Sequence, residues 1–82
     1  ISVHSIAQGR AEATEFVVDE LTRNCGVPLK DLKLRPNLLL ATISRGGRVE
    51  IPGGNSVLQP GDTVVVVTTG QISLQSLNDI FA

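Results

Sequence analysis

The chain has 82 residues, 41% of them hydrophobic and 18% charged, with seven basic and eight acidic residues for a net charge of −1. No basic stripe is present to neutralise phosphates, and two Phe without Trp or Tyr offer bases no stacking platform, which argues against nucleic-acid binding. No segment gives a membrane-surface helix a Lys/Arg-rich face, and the longest apolar runs, Leu38–Ala41 and Val64–Val67, fall far short of the ~20 residues of a membrane-spanning helix.

In chain order, Ile1–Ile6 alternates as a short strand, and residues 1–8 read as that strand or as a linker from a preceding domain. An opening on Ile1 without Met reads as a piece of a longer protein. Gln8-Gly9-Arg10 break the alternation. Thr14, Phe16, Val17 and Val18 favour β structure, and no stripe of helical spacing emerges over Ala11–Asp19, so a strand is expected there. Asn24–Gly26 signals a turn. Cys25 is the sole cysteine, so an internal disulfide and a four-ligand zinc site are both excluded; it reads as a small residue before a turn. One unpaired thiol fits a reducing, cytoplasmic setting.

Pro28 suits the first position of a helix, and Leu29 and Leu32 share a helical face, so Val27–Leu34 is expected to hold a helix of two turns at most. Pro36 ends it by restricting Arg35. Leu38–Ser44 and Val49–Ile51 flank Arg45-Gly46-Gly47-Arg48, and Gly46 and Gly47 supply the positive φ of a two-residue hairpin loop. In that register Ser44 opposes Val49 and Thr42 opposes Ile51. Gln59-Pro60-Gly61-Asp62 has the Pro-Gly order of a type II turn. Four consecutive valines in Thr63–Thr68 predict a strand buried on both faces. Leu74, Leu77, Ile80 and Phe81 have helical spacing, predicting a closing amphipathic helix over Ser73–Ala82. The sum is a single α+β domain over residues 1–82: a small mixed β-sheet with a central hairpin, one short helix and a C-terminal amphipathic helix. Its low charge fraction, against about a quarter in ordinary globular domains, points to a surface meant to be covered.

Reactive groups do not converge. His4 is the sole histidine, and Ser2 and Ser5 beside it do not make a triad. Glu12 and Glu15 fall on opposite sides of a strand, and Glu50, Asp62 and Asp79 are scattered, so neither an enzyme nor a metal site is expected. Asp62 is expected to bond backbone groups in its own turn. The glycine pairs sit between strands, without the helix N-terminus that lets a glycine-rich loop cradle phosphate. Three arginines remain as candidate anion ligands. Arg45 and Arg48 flank the hairpin loop, where solubilising charge is the plainer reading. Arg35 stands at a helix-to-strand junction, where its fork can meet a phosphate or a carboxylate, including one within the protein.

Several segments together resemble the regulatory C-terminal domains (RCK_C, or TrkA_C) of TrkA-type potassium uptake proteins. They are Gly9-Arg10-Ala11-Glu12-Ala13 with Glu15-Phe16-Val17-Val18; Val27-Pro28-Leu29-Lys30-Asp31-Leu32; Leu39-Leu40-Ala41-Thr42-Ile43-Ser44-Arg45-Gly46-Gly47; Ile51-Pro52; and Val57-Leu58-Gln59-Pro60-Gly61-Asp62-Thr63-Val64. The likeness runs from about Gly9 to Phe81. The Pro-Gly-Asp turn alone is common in β proteins such as cupins, but the hairpin, the turn and their spacing together are specific. The resemblance implies a cytoplasmic domain at the inner face of the cell membrane, in homodimers or rings, that gates a membrane potassium transporter subunit allosterically. It implies no cofactor in this domain, with NAD or ATP in a neighbouring Rossmann domain. The alternative it leaves is a sensing domain for a small anion or a nucleotide such as cyclic di-AMP, attached to another RCK-regulated cation transporter or antiporter.

Overall fold

The computed structural model describes residues 2–70 and 72–82. Its strands are β1 (Ser2–Ile6), β2 (Ala11–Val17), β3 (Leu38–Arg45), β4 (Arg48–Glu50) and β5 (Thr63–Thr69). They form one sheet in the order β1-β2-β5-β3-β4, and every neighbouring pair is antiparallel. Ile1, the first residue of the expected opening strand, lies outside the described residues.

Two expectations fail here. The sheet is not mixed, and among the described residues no α-helix forms; the helical pieces are single 3₁₀ turns at Ala7–Gly9, Leu29–Asp31 and Leu77–Ile80. The α+β architecture with two helices is therefore replaced by an antiparallel sheet backed by ordered loops.

The physical reasons are local. After Pro28, the Leu29 and Lys30 N–H groups donate to Ser56 O and Gly54 O, so the segment is tied sideways to another loop. Leu32 is already extended, and Leu34 forms a β-bridge with Phe81. At the C-terminus, Ser73, Ser76, Asn78 and Asp79 are short polar residues that compete with helical hydrogen bonding. The Asp79 carboxylate accepts the N–H groups of Gln75 (2.8 Å) and Ser76 (3.1 Å). The chain then runs extended, with Arg35 N–H donating to Ile80 O and Ala82 N–H to Lys33 O. Leu77, Ile80 and Phe81 still reach the core, as their spacing suggested, but from a strap.

The core lies on one face of the sheet. Phe16 of β2, Leu40 and Ile43 of β3 and Val64 and Val66 of β5 pack against Val18, Leu58, Leu77, Ile80 and Phe81 from the backing loops. Leu40 and Ile43 are three residues apart and would face opposite ways on a regular strand. A register shift between Leu40 and Thr42 brings both to the same side, the re-aiming a β-bulge performs.

Candidate functional site

The densest polar cluster joins the β3–β4 hairpin to the turn before β5. Gly46 (φ 58°) and Gly47 (φ 79°) turn the hairpin, both in the left-handed region that a type I′ loop requires. This places Ser44 opposite Val49 and Arg45 opposite Arg48; the ladder closes at Ile43 and Glu50, leaving Ile51 beyond the strand. In the Pro60-Gly61 turn, Gly61 has φ 93° and Asp62 N–H donates to Gln59 O, the type II geometry. The Asp62 side chain is thereby folded inward, with only 1% of the residue exposed.

Arg45 meets it there. Its Nε donates to Asp62 Oδ1 (2.8 Å) and its Nη2 to Asp62 Oδ2 (2.7 Å), a two-pronged ion pair. Nη2 also donates to Val57 O (2.9 Å), and Asp62 Oδ2 accepts the Gln59 N–H (2.9 Å). The hydrogen bonds from Arg45 hold the Asp62 carboxyl below the ordinary carboxylate range against the opposing effect of burial, with the Gln59 N–H helping. The same contact raises the Arg45 guanidinium.

The three candidate arginines are thus not one site. Arg45 spends its Nε and Nη2 on the protein. Arg35 Nη1 donates to Asp79 O (3.1 Å), binding the closing strap to the segment before β3. Arg48 stands exposed at the hairpin tip. His4 is exposed on β1, and Glu12 and Glu15 point to opposite faces of β2. Among the described residues, no three of His, Cys, Asp and Glu are grouped to hold a metal ion.

A second cluster had no local signal in the sequence. Asn78 Oδ1 accepts Arg23 N–H (2.7 Å), and Asn78 Nδ2 donates to Leu21 O (3.0 Å). Arg23 Nη2 donates to Asn78 O (3.1 Å), and its guanidinium lies 5.5 Å from the centre of the Phe81 ring. The partners are more than fifty residues apart. A shallow cleft of about 430 Å³ between Asp19–Thr22 and Gln75–Asn78 borders this clamp. Asp79, beside it, is held below the ordinary carboxylate range, first by the Gln75 N–H and then by that of Ser76.

Comparison with known proteins supplies what the geometry lacks. The family model of the TrkA-C domain matches residues 13–82. The chain belongs to the TrkA-C domain family. The match takes in β2 from Ala13 onward, the hairpin, the Pro-Gly-Asp turn and the strap, and leaves β1 outside. The TrkA-C chain is 36% identical over 81 residues to a "Trk system potassium uptake protein TrkA homolog" of Archaeoglobus fulgidus, covering 99% of this chain and 18% of that protein. It is 27% identical over 81 residues to a "Trk system potassium uptake protein trkA homolog 1" of Methanosarcina mazei, covering 99% of this chain and 20% of that protein. The TrkA-C chain therefore spans about a fifth of the length of the curated relatives it matches.

Proposed function

We propose that this chain is a non-catalytic regulatory and dimerising domain of a Trk-type potassium uptake system. It acts on the cytoplasmic side, at the inner face of the membrane, and gates a membrane potassium transporter subunit allosterically. The observation that carries this reading is the TrkA-C match over residues 13–82, together with relatives named as Trk potassium uptake proteins. The bonding pattern supports a scaffold: Arg45, Asp62, Arg23 and Asn78 hold segments of the chain to one another. Among the described residues no helix is long and apolar enough to cross a membrane.

The mechanism is a population shift. NAD or ATP exchange in a neighbouring Rossmann domain changes how paired TrkA-C domains sit, and the transporter reads that geometry. The test is potassium flux through the transporter reconstituted with the complete regulatory protein, against the same protein lacking this domain. Loss of the nucleotide response with retained basal flux is expected. An unchanged nucleotide response overturns the reading.

A second reading, sensing of a small anion or a nucleotide such as cyclic di-AMP, is favoured by one observation: Arg48 is exposed beside the Gly-Gly tip. Arg35 and Arg45 would have to exchange protein partners for a ligand. Calorimetry with cyclic di-AMP on the folded chain tests it, and an absence of heat removes it.

A further inference from the structure

The sheet ends in two edges, β1 and β4, and they are built differently. β4 is three residues long, carries Arg48 and Glu50, and is soon followed by Pro52. Shortness, charge and proline are the devices that keep a sheet edge from taking up another chain. β1 lacks them. Ser2–Ile6 hold no Pro, Lys, Arg, Asp or Glu, and the pairing with β2 runs from Ser2↔Glu15 to Ile6↔Ala11 without a bulge. Among the described residues β1 is bonded to β2 alone, so every second residue turns its N–H and C=O outward without a partner. All five residues are exposed, including Val3 (54%) and Ile6 (42%), one on each face of the sheet.

Behind β1 stand two glutamates. Glu15 lies opposite Ser2 on one face, and Glu12 lies opposite Ser5 on the other. Both are exposed, and among the described residues neither is in an ion pair. The β1 residue in front of each is a serine, too short to cover it. A Lys or Arg on a strand added outside β1 stands two strand spacings from each glutamate, about 10 Å. Two extended side chains close that gap over a serine.

We propose that the edge of β1 takes up an extended, cationic segment of another protein as a further strand. Main-chain pairing along Ser2–Ile6 supplies the attachment, and Lys or Arg over Ser2 and Ser5 supplies the selection. Running antiparallel, as every neighbouring pair of this sheet does, the segment reads apolar, basic, neutral, apolar, basic opposite Ile6, Ser5, His4, Val3 and Ser2. Charge favours a different protein over a second copy. β1 of another copy holds no Lys or Arg and brings its own Glu12 and Glu15 to the seam, where like charges oppose pairing. β1 also lies outside the TrkA-C match over residues 13–82, so this edge is a feature beyond the matched domain.

The test uses a blocked peptide, acetyl-Thr-Val-Lys-Thr-Val-Lys-Thr-amide, titrated into the isotope-labelled chain and followed by amide resonances. Those of β1 are expected to shift, and their hydrogen exchange to slow, while those of β4 stay in place. The same peptide with Glu in place of both Lys should bind at least about tenfold more weakly. Glu12→Gln combined with Glu15→Gln, both at exposed positions, should bring the two peptides to within about threefold of each other, in a chain whose spectrum reports that it is folded. Failure of the Lys peptide to move β1 at millimolar concentration overturns the proposal. So does equal binding of the two peptides to the wild-type chain, or a preference for Lys that persists in the double variant. β1 amides that become protected without peptide as the chain is concentrated overturn it too, because a second copy then holds the edge. Each of these outcomes leaves the regulatory reading standing.

Discussion

Alternate residues of β5 are chemically identical and meet different surroundings. Val64 and Val66 are wholly buried on the side of Ile43, Leu58 and Ile80, whereas Val65 and Val67 are only partly buried on the other. Nothing intrinsic to valine separates the pairs. The difference lies in what the rest of the chain brings over each face. Residues 18–37 and 72–82 wrap toward the first side, drawn by Val18, Leu77, Ile80 and Phe81, and the bulge near Ala41 turns both Leu40 and Ile43 the same way. A central strand can thus be the middle of a finished core on one side and of an open face on the other.

The largest effects should come from breaking the finished side. Ile43 is fully buried, and Ile43→Ala removes three carbons from the centre of the cluster. A loss of about 3–4 kcal/mol is expected in urea unfolding, from lost transfer energy and the cavity left behind. A loss below about 1 kcal/mol would show a loosely packed core and little contrast between the two faces.

Asp62→Ala comes next. It removes the carboxylate that pairs with Arg45 and accepts the Gln59 N–H, and so uncouples the hairpin from the turn before β5. Asp62 is buried but Arg45 is 39% exposed, so water screens part of the pair; losing the carboxylate and its backbone bond costs about 2 kcal/mol, or a fall in Tm of roughly 8–16 °C for a domain this small. The pair also sets a pH dependence. The carboxyl of Asp62 is lowered in the folded chain, so its stabilisation is complete above the unfolded value near pH 4 and is lost as pH falls through the lower folded value. Asp79 acts in the same direction. Tm should be flat from pH 7 to about pH 5 and drop below about pH 4. In Asp62→Asn that drop should be shallower, and an unchanged acid slope would remove Asp62 as its source.

Gly61→Ala should be milder. The position has φ 93° and nothing within 4 Å of an added Cβ, so the cost is backbone strain alone, about 1 kcal/mol.

The turns were legible in the sequence because their chemistry is local. Gly46-Gly47 demanded positive φ and fixed Ser44 opposite Val49; Pro60-Gly61 demanded a type II turn. The helices were misread for a related reason. Spacing records which side chains reach the core, and Leu77, Ile80 and Phe81 do reach it, but it does not record whether a strap or a helix carries them. Ser76, Asn78 and Asp79 held the missing information, as turn-forming residues inside an apparently amphipathic stretch. The polar clusters were the least legible. Arg45 flanks the loop in sequence, yet its guanidinium lies on a carboxylate seventeen residues away, and Arg23 meets Asn78 across fifty-five. A short polar residue opening a valine strand, as Asp62 does, is the one signal that a buried partner was needed.

The smallest expected effect is the sharpest test of the two faces. Val65→Ala and Val66→Ala are the same substitution at adjacent positions of one strand, so β propensity and unfolded-state effects nearly cancel between them. In dilute chain, where any dimer has dissociated, Val66→Ala leaves a cavity beside Leu40 on the core side, while Val65→Ala trims a partly buried side chain on the open side. Val65→Ala should therefore stay within about 0.5 kcal/mol of wild type, well below Val66→Ala. Equal sensitivity of the two positions in dilute chain would mean that the second face is already covered within the monomer, and the distinction between the two sides of β5 would disappear.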